Sequence, residues 1–187
     1  MNKGRFEAYT DAIIAIVVTL LVLEIPRPEG YTFTALLSDW RSYIVYLITF
    51  LQIMAIWYNH HNLLKYVKTI NHSAYWANAV WLLLLSTSPF AMAWLMAYPN
   101  HWQPIVLFAG LWAFWTLSYS WLEALLLRDN PNVRPKSKAK NLFSLFMLAI
   151  TIVVALIVPV WGVAIIGLLT LWLILSPFEF ELVEEEK

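Results

Sequence analysis

The sequence predicts an all-α, polytopic membrane protein, and three observations carry that reading. Hydrophobic residues make up 61% of the 187-residue chain and charged residues only 13%, more apolar surface than a soluble core of this size can bury. The apolar residues fall in runs that approach or exceed the roughly 20 residues needed to cross a bilayer. The charges gather in the links between those runs. Cysteine is absent, which excludes a disulfide framework, a thiolate metal site and a cysteine nucleophile. Eleven Trp and nine Tyr suit a protein with two membrane interfaces to anchor at.

Six segments qualify as spans, approximately 5–25, 37–58, 74–97, 103–127, 141–158 and 160–176. The first, RFEAYTDAIIAIVVTLLVLEI, closes at Pro26 and Pro28. Lys3 and Arg5 before an apolar run resemble a secretory signal. Against that reading, Asp11 interrupts the run's start, the run is long, and Glu24-Ile25-Pro26 offers no small-residue cleavage site. A retained helix is expected. The third segment carries Ser86-Thr87-Ser88-Pro89, which predicts a kink whose hydroxyls meet the freed carbonyls. The apolar block 141–176 would make a helix of about 54 Å, too long for one span. Pro159, Trp161 and Gly162 near its middle divide it into a tight helical hairpin. A five-span alternative leaves the block undivided and breaks no charge rule.

Orientation follows from Lys and Arg. With the N-terminus in the cytoplasm, six spans return the C-terminus to the same side. Ten basic residues then lie inside: Lys3, Arg5, Lys65, Lys68, Arg128, Arg134, Lys136, Lys138, Lys140 and Lys187. Only Arg27 and Arg41 lie outside. Trp40, Trp94, Trp102 and Trp161 fall near the outer face, and Trp57, Trp76 and Trp121 near the inner one. The loop RDNPNVRPKSKAK at 128–140 reads as a cytoplasmic loop obeying the charge rule, with anionic lipid headgroups as the sharper alternative. The tail EFELVEEEK reads as a solvated terminus.

The first helix carries the main candidate site. Ala12, Ile16, Thr19, Leu20 and Leu23 share one face at helical spacing. They are packing residues on periodicity alone, with Thr19 bonding back to a carbonyl one turn earlier. If the stripe faces an axis instead, copies of the helix stack an apolar ring and a hydroxyl ring, which can gate by dewetting and replace part of an ion's water shell. Arg5 and Asp11, six residues apart, lie about 120° from a common face, so their partners are expected on neighbouring helices. Trp57, His60 and His61 at the end of helix two, and Asn78 in helix three, lie in the right layer. His60, His61 and His72 could suggest a metal-dependent enzyme. Adjacent histidines point about 100° apart with no carboxylate at ligand spacing, so hydrogen-bonding roles are preferred and no metal is expected. Glu123 is expected to reach the interface or Arg128, and Glu24 to stand at the outer mouth of helix one. The chain has no TVGYG filter, voltage-sensing Arg repeat, Walker loop, GxSxG or HExxH, and no enzymatic activity is expected.

Arg5, Tyr9, Thr10, Asp11 and Ala12 resemble the first-helix signature of the transmembrane protein 175 family, RxxxFSDA followed by an apolar helix with a Thr. Tyr9 and Thr10 stand where that pattern has Phe and Ser. IWYNHHNLL at 56–64 and NAVWLLLLSTSPF at 78–90 resemble the family's second and third helices. The resemblance implies a six-helix potassium channel subunit without a reentrant carbonyl filter, assembled as a homotetramer in its prokaryotic, single-unit form. Helix one then lines the pore. Ile16 is the constriction, Thr19 the hydroxyl layer and Leu23 the next apolar ring, with Ala12 and Leu20 beside them. Arg5, Thr10, Asp11, Trp57, His60, His61 and Asn78 become the network bracing that helix. The expected protein is a potassium-preferring cation leak channel of a prokaryotic cell membrane. It needs no cofactor; its partners are its own copies, monovalent cations and lipids, with no nucleic acid. The alternative is a proton-coupled secondary transporter using Asp11 or Glu123.

Overall fold

The computed structural model describes residues 2–137 and 139–183. Lys138 and residues 184–187, which include Lys187 of the charge count and the last acidic residues of the tail, lie outside the described residues. The elements in chain order are α1 (Lys3–Leu21) with a closing 3-10 turn (Val22–Glu24), α2 (Phe33–Ser38), α3 (Trp40–Tyr66), α4 (His72–Leu85), α5 (Ser88–Ala97), α6 (Trp102–Arg128), β1 (Val133–Pro135), α7 (Ala139–Ile157), α8 (Pro159–Leu175) and β2 (Phe180–Leu182). Among the described residues, five helical stretches are long and apolar enough to cross a membrane: Lys3–Glu24, Trp40–Tyr66, His72–Ala97 across its break, Trp102–Arg128 and Ala139–Ile157. The apolar helix α8 has 17 residues, a length of about 25 Å.

Side-chain caps start several helices. Asn2, Thr32 and Asn71 each accept the backbone N–H three residues on, at the starts of α1, α2 and α4. Between α4 and α5, Ser86, Thr87 and Ser88 donate their hydroxyls to the carbonyls of Leu83, Leu84 and Leu85 at 2.6–2.7 Å. Pro89 enters the first turn of α5, where its missing N–H leaves no bond unmade. Pro159 does the same for α8. The turn between α7 and α8 packs closely: a Cβ on Gly162 would stand 2.9 Å from both Ala155 Cβ and Ile105 Cγ2.

Helix α3 runs to Tyr66, well past the expected end near residue 58. No breaker interrupts NHHNLLKY, and Asn59, His60, Leu63 and Leu64 are buried, so packing extends the helix beyond its apolar core. Asn130 organises the short link between α3 and α4. Its Oδ1 accepts the N–H groups of Lys68 and Thr69, and its Nδ2 donates to the carbonyls of Thr69 and Leu126. An Asn amide has no more hydrogen atoms to give, so one side chain ties this link to the end of α6. Asn71 also donates to Asp129 across the same junction.

The core centres on α6, which packs against α4, α5, α7 and α8, while α8 also lies on α3. Trp81, Trp112 and Phe108 fill it. Helix α1 lies on α3, α4 and α5. It buries Phe6, Thr10, Ile14, Val17 and Leu21, one face at spacings of three and four.

Two expectations are corrected. The described part of the tail, residues 179–183, is not a free solvated terminus. Strand β2 pairs antiparallel with β1, Val133 opposite Leu182 and Pro135 opposite Phe180. The strand alternation turns Phe180 inward, where it is 4% exposed. Lys136 Nζ donates to Glu179 Oε2 at 2.9 Å beside this pairing. Of the two places expected for Glu123, the interface or Arg128, the second is not taken: Arg128 pairs with its neighbour Asp129. Glu123 Oε2 instead accepts from Asn141 Nδ2 at 3.0 Å.

Candidate pore-lining helix and the network that holds it

The burial of α1 leaves its opposite side uncovered by the rest of the chain. Ala12, Ile16, Thr19, Leu20 and Leu23 are all exposed there. Ile16 is 58% and Leu23 75% accessible, large values for aliphatic side chains. No charged residue stands between Asp11 and Glu24, so this face presents about 18 Å of uncharged surface. Thr19 Oγ1 donates to the Ile16 carbonyl at 2.8 Å. Its proton is thereby spent inside the helix, and its lone pairs face outward. Glu24, in the closing turn, is exposed at the end of the same surface.

Polar contacts fix α1 to its neighbours near its start. Trp57 Nε1 donates to Asp11 Oδ1 at 2.9 Å. Asn78 Nδ2 donates to Thr10 Oγ1 at 2.8 Å, and Asn78 Oδ1 lies 3.2 Å from His60 Nε2. With the amide so assigned, His60 carries its proton on Nε2 and donates it to Asn78. Thr10, Asn78 and His60 are at most 1% exposed, where an unbonded polar group costs most. The His60 ring stacks on Trp81 with centroids 4.8 Å apart and planes within 4°, and Phe6 of α1 stacks at 6.4 Å on the same imidazole. Two side chains of α1, four residues apart on its buried face, therefore reach one node on α3 and α4.

The structure thus brings Thr10, Asp11, Trp57, His60 and Asn78 together. His61 joins only by stacking on Trp57, at 5.8 Å between centroids. Arg5 does not join: its side chain is exposed and forms no hydrogen bond or ion pair among the described residues. At 100° per residue it stands about 140° around the helix from Thr10, away from the node that Thr10 reaches. His72 lies apart at the start of α4, accepting from Trp76 Nε1 at 3.0 Å. Among the described residues, no three His, Asp or Glu side chains converge as a metal site would require.

Further anchors escape sequence reasoning. Tyr119 donates its hydroxyl to the Asn59 carbonyl at 3.2 Å. Asn59 Oδ1 accepts from Phe178 N–H, and Asn62 Nδ2 donates to the Phe178 carbonyl. The signal in the sequence is polar Asn59 and Asn62 at helical spacing on either side of His60-His61, but their partner stands more than a hundred residues away.

Chemically, the arrangement combines an uncovered column of apolar and hydroxyl groups with a directional brace at one end. It contains no nucleophile–base pair.

Comparison with known proteins gives concordant findings. The family model described as endosomal/lysosomal potassium channel TMEM175 matches residues 5–89, the stretch that contains every member of the node above. A potassium channel of Chryseobacterium sp. is 31% identical over 180 residues, covering 93% of this chain and 94% of that one. An endosomal/lysosomal proton channel TMEM175 of Danio rerio is 26% identical over 141 residues, 68% of this chain but 27% of that longer protein. Among solved structures, a crystal structure of a lysosomal potassium-selective channel TMEM175 homolog from Chamaesiphon minutus superposes with a TM-score of 0.80. It shares 26% identity and covers 92% of this chain and 96% of that one. With a full-length relative at this identity, a matching motif region and a matching fold, the chain belongs to the TMEM175 family.

Proposed function

We propose that the chain is one subunit of a homotetrameric, potassium-preferring cation leak channel in a prokaryotic cell membrane. Its relatives include proteins named as potassium channels. The observation that carries the reading is the uncharged face of α1 that the subunit's own bundle leaves open. Four copies of that face around an axis form the pore. Ile16 makes the narrow apolar ring, which passes ions only when wetted. Thr19 presents oxygen lone pairs to a partly dehydrated cation, its proton being held by the Ile16 carbonyl. Leu23 extends the narrow region with Ala12 and Leu20 alongside, and Glu24 raises the cation concentration at the outer mouth. Thr10, Asp11, Trp57, His60, His61 and Asn78 brace the helix, and Arg5 faces the cytoplasmic interface. In this assembly α8 completes six spans, both chain ends are cytoplasmic, and the basic residues obey the inside rule.

The transporter alternative has less support. Asp11 is engaged by Trp57, and Glu123 by Asn141 on a different side of the bundle. The deciding experiment is the reversal potential of purified protein in planar bilayers, with potassium on one side and sodium on the other. Unitary current steps reversing towards the potassium equilibrium potential are expected. Absence of steps, together with saturable uptake that requires a proton gradient, would replace the channel by the transporter.

A further inference from the structure

The link between α6 and α7, with the β1–β2 pairing, closes one end of a cleft of about 670 Å³ that the channel reading does not use. The cleft follows α6 from Leu117 to Leu127, about 15 Å of helix. Leu117 and Leu142 in its wall are exposed, on two helices apolar enough to cross a membrane, so its flank opens towards lipid. The charges of the wall are Glu123, Arg134, Lys140 and Glu179. The cleft is therefore apolar along the spans and charged where they end.

The bonding of those charges defines a guest. Glu179 is taken by Lys136 at 2.9 Å. Lys140 Nζ donates to the carbonyls of Ser176 and Pro177, which uses two of its three protons and no carboxylate. Arg134 is exposed and forms no hydrogen bond or ion pair among the described residues. Glu181 stands opposite it in the strand register without pairing with it. Glu123 accepts from Asn141 Nδ2 at Oε2, and its Oε1 accepts from no described residue. Arg134, Lys136 and Lys140 thus balance Glu123, Glu179 and Glu181, yet Arg134 lacks an anion and Glu123 lacks a cation. A simple anion would leave Glu123 unanswered, and a simple cation would leave Arg134 so. A zwitterion answers both: its phosphate takes Arg134 and the remaining proton of Lys140, and its ammonium donates to Glu123 Oε1. The apolar length of the cleft, open to the bilayer, calls for acyl chains on that zwitterion.

We propose that this cleft binds a phospholipid whose headgroup carries a primary amine. The phosphate lies on Arg134 and Lys140, the ammonium on Glu123, and a chain runs along Leu117, Leu142 and Leu145. The site rests on the membrane placement of α6 and α7, and not on ion permeation.

The test is native mass spectrometry of the full chain, stripped of lipid in detergent and titrated with phosphatidylethanolamine, phosphatidylcholine or phosphatidylglycerol of identical chains. Choline keeps the positive charge and cannot donate; the glycerol headgroup has no positive charge. Phosphatidylethanolamine should bind about tenfold more tightly than either. Equal binding of the three, or tightest binding of phosphatidylglycerol, overturns the proposal. Glu123→Gln keeps an acceptor for Asn141 and should bring phosphatidylethanolamine down to the level of phosphatidylcholine; a preference that survives removes Glu123 and the proposal with it. Arg134→Gln should weaken all three lipids about tenfold, since each carries the phosphate, while Lys68→Gln, on a different cleft, changes nothing. Equal losses in the two variants would reveal diffuse attraction to a basic surface and overturn the site. Ala124→Trp, at an exposed position in the wall, fills the cleft without touching a charge and should abolish the preference; its retention places the lipid elsewhere. If Ala124→Trp does not fold, the comparison of Arg134→Gln with Lys68→Gln decides. Binding is read without current, so failure of the channel reading and failure of this site are separate results.

Discussion

Thr19 gives its hydroxyl proton to the Ile16 carbonyl, so what it turns away from the bundle is lone-pair density. That bond makes Thr19→Val an informative substitution: it keeps shape and removes the oxygen. Potassium preference should fall in Thr19→Val and survive in Thr19→Ser, read as the reversal potential under mixed potassium and sodium. An unmoved value in Thr19→Val would remove Thr19 from ion selection. In the proposed pore, Ile16→Asn should wet the apolar ring and raise unitary conductance several-fold while weakening discrimination; single-channel recording checks it. Asn78 is tested through stability instead. Asn78→Leu leaves Thr10 and His60 unpaired in the bundle. Interhelical bonds in membranes reach at most about 1.7 kcal/mol each in double-mutant cycles. A loss of roughly 1–3 kcal/mol is expected from denaturant unfolding in detergent. The partners of this node were legible because Thr10, Asp11, His60 and Asn78 are polar groups set in or beside apolar helices, with few other groups to bond. Arg5 was not, since a long side chain at a helix start can satisfy itself in solvent.

At the scale of elements, prolines and hydroxyls mark the breaks, and glycine marks the closest approach. Pro89 and Pro159 each stand in the first turn of a helix, and both positions are readable from one residue. The extension of α3 to Tyr66 was not readable, because NHHNLLKY looks like an interfacial end and only its burial keeps it helical. The Gly162 contact yields a prediction. A methyl at this position meets Ala155 Cβ, which cannot rotate away, so the α7–α8 pair must part. Gly162→Ala should cost about 1–3 kcal/mol, the usual range for overpacking. Thermal unfolding in detergent measures it, and adding Ala155→Gly should restore much of the loss.

Across the whole molecule, non-local pairings were the least visible from sequence. Strands β1 and β2 are three residues each, too short to show a period, and two long helices separate them. The Glu123–Asn141 bond likewise joins residues on either side of a loop. The β1–β2 junction has a defined pH response. The hydrogen bond from Lys136 holds the Glu179 carboxyl below its ordinary value of 4.5, and the same bond raises the Lys136 ammonium. For the lowered carboxyl, the stabilisation is present above the unfolded value and disappears as pH falls through the folded one. For the raised ammonium, it is present below 10.5 and disappears as pH rises through the folded value. Both groups are exposed, so salt screens the pair. At neutral pH, Glu179→Gln or molar salt should speed hydrogen exchange of the Lys136 and Val183 amides, which bond to Glu179 and Asn132 across the junction. Equal exchange in the variant would assign the junction to its backbone and Phe180 alone.

The fixing of α1 is lopsided. Its directional bonds to other helices lie at Lys3, Thr10 and Asp11, whereas from residue 12 to 24 it is held by apolar contact through Ile14, Val17 and Leu21. Apolar contact limits depth and tolerates small rotation. The helix is a cantilever. Positional error grows with distance from the clamp, and at 1.5 Å per residue Ile16 sits about 7.5 Å from Asp11, Thr19 about 12 Å and Leu23 about 18 Å. In the proposed pore the ring nearest the clamp keeps the tightest tolerance, so a width-setting part is best machined at Ile16, and the slack collects at Leu23.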